Sequence, residues 1–373
     1  MHTRGSVLTK APGAYETIDI ELDEPRQNEL LVRMAASGLC HSDDHFATGD
    51  VPLGTYPFCG GHEGAGIVER VGPDTAGYAV GDHVVFSFIP SCGRCRWCAT
   101  GHQNLCNFGA HALAGSRADD PESFRMHTPD GRNVGQMAGV STFAERTVVH
   151  VNSTVRIDKD LPLDKMCLLG CGVGTGWGSA VNSAGVQPGD TVIVMGVGGI
   201  GINAVQGAAF AGASNVIAVD PVGMKREAAL RLGATHAFAD IAEAAGLARS
   251  LTGGQGADSA IVTVGVVRGE HIAQAFSAIR KAGTVVVTGA GNFTQAGIPV
   301  SLMELTMFQK RIQGALFGAC NPTYDILRQA QMYRDGRLKL DELITATYTL
   351  DQVAQGYEDM HAGKNIRGVV LFD

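Results

Sequence analysis

The sequence predicts an α/β protein built from a doubly wound parallel sheet and a β-rich domain with long loops. Two observations carry this. From about residue 173 onward, near-continuous apolar runs alternate with helix-period segments, the pattern of a parallel sheet covered on both faces. Before about residue 150 the strand-like segments are short and broken by Gly and Pro. A chain of 373 residues is long enough for two such domains, each with its own core.

In the first part, "NELLVRMAAS", "GIVERVG", "GDHVVF" and "STFAERTVVH" read as strands, and residues 109–136 read as an irregular excursion. In the second part the strands are "DTVIVMG", "NVIAVD", "DSAIVTVG" and "GTVVVTGA". The helices between them include "GMKREAALRLGA" and "GEHIAQAFSAIRKAG". After about residue 317 the character is mixed, and the chain ends on a strand, "RGVVLFD". This last piece is too small to fold alone and is expected to rejoin the first domain. The expected division is 1–172 with 317–373, and 173–316.

Composition excludes several classes. A net charge of −8 argues against nucleic acid, whose binders normally show a basic face. The start lacks the apolar core of a signal peptide. The apolar stretch 191–219 resembles a membrane span, but its glycines, Asn203 and Gln206 fit a buried strand–helix–strand instead. Neither a nucleic acid nor a membrane is an expected partner, and the expected compartment is the cytoplasm. In that reducing setting, nine cysteines point to metal ligands before disulfides.

"TVIVMGVGGIG" places Gly196, Gly198, Gly199 and Gly201 between a strand and a helix. In this G-x-G-x-x-G pattern the first glycine makes the tight turn and the second admits a pyrophosphate. The third lets helix and strand pack closely, and the helix N-terminus faces the phosphates. The next strand ends in Asp220, nineteen residues past Gly201. A carboxylate there accepts ribose hydroxyls and repels a 2′-phosphate, which favours NAD over NADP. The competing reading is a glycine turn with a capping Asp. Lys225 suits either an adenosine-ribose contact or a solvated helix position.

"SCGRCRWCATGHQNLC" spaces Cys92, Cys95, Cys98 and Cys106 as C-x2-C-x2-C-x7-C. Four thiolates close a tetrahedral shell and leave no open position, as in structural zinc sites. An iron–sulfur cluster is the rival; the x7 spacing and the absence of a following Pro favour zinc. Cys40, His62 and either Cys167 or Cys171 offer a Cys2His set with an open position, which is one form of catalytic zinc site. Spacing does not choose between the two later cysteines.

Together "GLCHSDDH", "GGHEGAGIVERVG", the four-cysteine loop, "GCGVGTGWGSAV", "GVGGIG" with its later "VD", and "NIRGVVLF" resemble the zinc-dependent medium-chain alcohol dehydrogenases. They occur in that family's order along essentially the whole chain. Details such as "IPSCGRC" and "GKNIRGV" are most similar to the NDMA-dependent branch, whose members resemble nicotinoproteins that hold NAD tightly.

The resemblance implies a GroES-like catalytic domain with a zinc lobe, a Rossmann coenzyme domain, two zinc ions per subunit and bound NAD. It implies catalytic zinc ligands Cys40, His62 and Cys171. Glu63 would stand close behind the metal and Asp43 would orient the ligand histidine. Ser42 would hydrogen-bond the substrate oxygen and His45 would pass the proton to solvent. Thr175 and Thr288 would flank the nicotinamide. Arg367 and His41 would meet the pyrophosphate, His41 standing where many relatives have an arginine. Asp44 is expected to be solvated, and His236, His271 and His361 to lie at the surface.

The implied activity is reversible hydride transfer between a primary alcohol or aldehyde and NAD, with an external electron acceptor reoxidising the coenzyme if it never leaves. Two other readings stand beside it: a thiol-dependent formaldehyde dehydrogenase, and a non-catalytic NAD-binding zinc protein. Phe143, Leu316 and Phe317 are the expected substrate-pocket residues, and a homodimer or homotetramer the expected assembly.

Overall fold

The computed structural model describes residues 1–291 and 296–373. The chain forms two compact units, Met1–Cys171 with Asn321–Asp373, and Gly172–Cys320.

The first unit is built on a closed five-stranded barrel and a seven-stranded sheet. The barrel runs His2–Leu8, Glu16–Leu22, Met126–His127, Asn133–Gln136 and Phe58–Cys59. The sheet runs Thr154–Ile157, His83–Phe86, Glu63–Val71, Glu29–Gly38, Arg367–Leu371 and Ile344–Tyr348, with Arg146–His150 also paired to Glu29–Gly38. The last strand therefore returns to the first unit, Val369 opposite Gly38. Leu30, Val32, Met34, Phe58, Phe86 and Phe143 form the core here. Burying each such side chain contributes about 1.5–3 kcal/mol.

Helix α1 (His41–Thr48) follows the central strand. Asp43 and Asp44 in its first turn suit the positive end of the helix dipole. Gly49 ends it in the left-handed conformation, at φ 84°. A Cβ there would touch nothing closer than 3.8 Å, so backbone conformation and not crowding calls for glycine.

The excursion 109–136 supplies two barrel strands and is anchored by buried ions. Glu29 Oε1 accepts from Arg117 Nε at 3.1 Å and from Arg125 Nε at 2.7 Å, and its Oε2 accepts from the Arg26 amide at 2.9 Å. Burial disfavours the charged carboxylate, yet the Arg125 guanidinium and the Arg26 amide hold its pKa below the ordinary value.

The second unit is a six-stranded, all-parallel sheet in the order His236–Phe238, Asn215–Val219, Thr191–Met195, Ala257–Val262, Ile279–Val287 and Arg311–Gly314. This is the doubly wound coenzyme-binding order. The stretch 191–219 is a strand, helix α2 (Gly201–Phe210) and a strand. No described helix is long and apolar enough to cross a membrane.

One element differs from expectation. The helix predicted over "GEHIAQAFSAIRKAG" stops at Ala278, and Ile279 opens a strand opposite Ala257. Ile279 is buried against the sheet core, and that pairing overrides the helix propensity of Arg280, Lys281 and Ala282. The last helix, α3 (Val353–His361), belongs to the first unit.

Candidate active site

Cys40 is the N-cap of α1, and its thiol makes no capping bond to the helix. His62 and Glu63 enter the strand Glu63–Val71, and Cys171 follows a short 3-10 turn over Cys167–Gly170. One ligand atom from each of Cys40, His62, Glu63 and Cys171 lies within 4.8 Å of the others, and all four residues are buried. Cys167 is not of this group. Its thiol donates to the Asp164 carbonyl at 3.3 Å, and burial pushes its pKa up.

The electrostatics favour a cation at this place. The neighbouring Cys171 holds the Cys40 thiol well below its ordinary range, with His62 and Arg367 adding to the effect against burial. Burial opposes a charged His62, but Asp43 and Cys40 push its pKa well above normal. The anions that favour a proton there favour a bound metal ion in its place. Asp43 Oδ2 lies 2.9 Å from His62 Nδ1, and Asp43 Oδ1 accepts from the Gly61 amide at 2.8 Å. The carboxylate thus fixes the His62 tautomer and leaves Nε2 bare for a ligand. Two thiols, an imidazole and a carboxylate are a donor set suited to zinc.

Glu63 pairs with Arg367, and both are buried. A Cβ on Gly38 would strike both side chains, so that glycine makes room for the pair. Arg367, which the resemblance placed on a pyrophosphate, has its guanidinium on Glu63. Ser42 is half-buried, its Oγ 3.7 Å from Cys40 Sγ. The His45 ring is buried, with Nδ1 3.1 Å from Asp50 Oδ2. His41 is half-buried, its ring 6.2 Å from that of His45 and 6.5 Å from that of His361. Burial holds the His41 pKa down.

The expectation for Asp44 is corrected. It is 5 % exposed, and its Oδ2 lies 2.8 Å from His361 Nε2. Residues 41–48 are helical, and the face that carries His41 and Asp44 meets His361 of α3. Phe143 is buried beside Tyr15 and Tyr357.

Cys92, Cys95, Cys98 and Cys106 form a second group within the same 4.8 Å limit. Amides from Cys98 and Asn107 lower the Cys95 thiol to about 6, whereas burial raises Cys98 to about 12. The Cys95 amide donates to Cys92 Sγ and the Cys92 amide to Cys106 Sγ, both at 3.4 Å. Amides aimed at sulfur stabilise thiolates, the form that binds metal.

In the second unit, Gly196 has φ 88°, and a Cβ there would meet the Val264 amide nitrogen at 2.8 Å. A Cβ on Gly201 would collide with the Gly196 carbonyl. Gly198 differs, since its Cβ would meet only Lys225 Nζ, at 4.0 Å. The fold itself demands the outer two glycines, while the room over the middle one fits a phosphate. The N-terminus of α2 has no side-chain cap, and its Ile202 and Asn203 amides donate to the Gly198 and Ile200 carbonyls at 2.9 and 3.0 Å. Its positive dipole end suits an anion. Asn203 ties the Gly199 carbonyl at 2.9 Å.

Asp220 is buried and accepts from the Val197 and Val222 amides at 3.0 and 2.9 Å. Its carboxylate therefore also braces the turn. Ser179, which sequence reasoning missed, joins Thr175 to Thr288: its Oγ donates to the Thr175 carbonyl at 2.6 Å and lies 2.7 Å from Thr288 Oγ1. Phe317 is buried over Gly174, whereas Leu316 is 46 % exposed.

Residues 26–159 match the alcohol dehydrogenase GroES-like domain, and residues 199–331 match the zinc-binding dehydrogenase domain. The NDMA-dependent alcohol dehydrogenase of Amycolatopsis methanolica is 51 % identical over 371 residues, covering all of this chain and 99 % of that protein. The S-(hydroxymethyl)glutathione dehydrogenase of Paracoccus denitrificans is 33 % identical over the full length of both. The benzyl alcohol dehydrogenase structure from Acinetobacter calcoaceticus superposes with a TM-score of 0.91 at 28 % identity and full coverage of both chains. With both donor clusters, the glycine turn and the doubly wound sheet in place, the chain belongs to the zinc-dependent medium-chain alcohol dehydrogenase family.

Proposed function

We propose that this protein interconverts a primary alcohol and its aldehyde with NAD as a tightly held coenzyme, reoxidised by an external acceptor. The observation that carries the reading is the buried group Cys40, His62, Glu63 and Cys171 with Asp43 behind the histidine. When bound, zinc would supply the Lewis acidity that eases loss of the hydroxyl proton, and NAD the hydride acceptor.

The chain's own residues do the rest. Cys40, His62 and Cys171 hold the metal, and Asp43 keeps the His62 ring oriented. Glu63, neutralised by Arg367, stands as a reserve carboxylate. Ser42 orients the substrate hydroxyl, and His45 takes its proton outward. Gly196, Gly198, Gly199 and Gly201 receive the pyrophosphate, Asp220 the adenosine ribose, and Thr175 and Thr288 the nicotinamide side. Cys92, Cys95, Cys98 and Cys106 hold a second zinc that keeps the lobe folded. The assembly proposed is a homodimer or homotetramer.

The 51 % identity to an NDMA-dependent enzyme supports the bound-coenzyme form. The test is to denature purified protein and measure released NAD(H), then to assay benzyl alcohol with free NAD and separately with an artificial electron acceptor. Released nucleotide and turnover only with the acceptor are expected. Rapid turnover on free NAD with no bound nucleotide contradicts the bound-coenzyme form. The relative from Paracoccus denitrificans favours one second reading, oxidation of a thiol adduct of formaldehyde. A requirement for added thiol would favour it, and thiol-independent oxidation of simple alcohols would remove it.

A further inference from the structure

The two nitrogens of His45 sit in different surroundings. Nε2 is buried and has no polar partner among the described residues. Nδ1 lies 3.1 Å from Asp50 Oδ2. Only 3 % of the His45 side chain is exposed, against 35 % for Asp50, so the pair leads from the interior to the surface. The approach is built by the backbone. Gly49 turns left-handed and the Val51 amide returns to the His45 carbonyl at 3.1 Å, which places Asp50 at the ring.

Thr48 Oγ1 donates to the same Asp50 oxygen at 2.9 Å. Hydrogen bonds from His45 and then Thr48 hold the Asp50 carboxyl below its ordinary range, so it is ionised at neutral pH. An ionised carboxylate only accepts hydrogen bonds, so Nδ1 carries a hydrogen and a neutral ring leaves Nε2 as a bare acceptor.

We propose that Asp50 is the positioning residue of the proton exit: it locks His45 in the Nδ1–H tautomer, turns Nε2 into the acceptor for the substrate proton, and stabilises the imidazolium that results. His45 takes one proton at Nε2, and the imidazolium gives its Nδ1 proton to water beside Asp50. Exchange of the remaining proton from Nε2 to Nδ1 through solvent, favoured by Asp50, restores the Nδ1–H tautomer before the next turnover, and no other group ends with a changed charge. The role rests on the alcohol dehydrogenase reading above.

Other groups near His45 are accounted for. On α1, the His41 ring stands 6.2 Å away and burial lowers its pKa, and Asp44 is occupied by His361 of α3. The buried phenols of Tyr15 and Tyr357 have their pKa values raised by burial and stay neutral. Asp50 is thus the anion that contacts the ring.

The test compares the parent, Asp50→Asn, Asp50→Glu and His361→Gln as metal-loaded holoenzymes oxidising benzyl alcohol, with kcat and KM measured across the range where histidine titrates. Loss of the carboxylate disfavours the imidazolium. In Asp50→Asn, kcat should fall about tenfold with KM nearly constant, and the acidic limb of kcat should move to lower pH. Asp50→Glu should restore most of the rate, and His361→Gln should leave the limb in place.

A second readout is independent of turnover. Imidazole nitrogen NMR, with His45 assigned from the signal lost in His45→Gln, should show the Nδ1–H tautomer in the parent and a titration midpoint at lower pH in Asp50→Asn. An Nε2–H tautomer in the parent, or Asp50→Asn with parental kcat and an unmoved limb, overturns the proposal. A parent whose histidine signals behave as stated but which oxidises no alcohol contradicts the proposed function instead, and the tautomer lock stands.

Discussion

The two cysteine clusters of the first unit are assembled in opposite ways. Cys92, Cys95, Cys98 and Cys106 come from one loop, two of them half-exposed, with backbone amides aimed at sulfur. Cys40, His62 and Cys171 come from three distant segments, all buried, with a carboxylate behind the histidine and Ser42 and His45 on the adjoining helix. A loop closing on itself satisfies a metal completely and serves stability. A site collected from distant segments exists only once the sheet has formed, and the three ligands proposed for it would leave a fourth position for chemistry.

The contrast orders the expected effects of mutation. Cys40→Ser should remove alcohol oxidation, with kcat lowered at least about a thousandfold, because a metal ligand acts in the transition state itself. Retained steady-state turnover would break the comparison at its functional end. Asp43→Asn should keep the metal but lower kcat by about 10- to 100-fold, since it supports a ligand without being one; metal content and kcat measured together distinguish support from ligation. Cys95→Ser should cost one metal equivalent and lower the melting temperature by more than about 5 °C, while enzyme still folded at low temperature keeps most of its turnover. Full loss of activity in folded Cys95→Ser would mean that the lobe does more than hold shape.

The smallest effect belongs to the ions that anchor the segment after the lobe. The Glu29 pKa is lowered in the folded state, so its contribution is present above the unfolded carboxylate value, about 4.3, and is lost as pH falls through the lower folded value. Glu29→Gln should therefore melt a few degrees below the parent at neutral pH, and this gap should close in acid. A gap independent of pH would assign the loss to packing.

The same contrast explains what was legible in the sequence. The four-cysteine loop and the glycine turn are contiguous, so spacing alone exposed them. The parallel sheet was legible because each buried strand is one unbroken apolar run. Choosing Cys171 over Cys167 lay beyond spacing, because both are buried cysteines four residues apart; what separates them is which thiol reaches Cys40 and His62. Asp44 was misjudged because its partner, His361, is 317 residues away. The Glu29 network joins residues 88 and 96 positions apart and carries no local signature. Asp50 did leave a trace, a carboxylate directly after the glycine that ends α1, but only the returning backbone shows which ring it meets.

The central claim is that the second metal is held by Cys40, His62 and Cys171. Its most direct test is the zinc content of purified Cys171→Ser beside the parent. Two equivalents per chain in the parent and one in the variant, retained by the four-cysteine lobe, are the predicted result. Two equivalents in both proteins would contradict it.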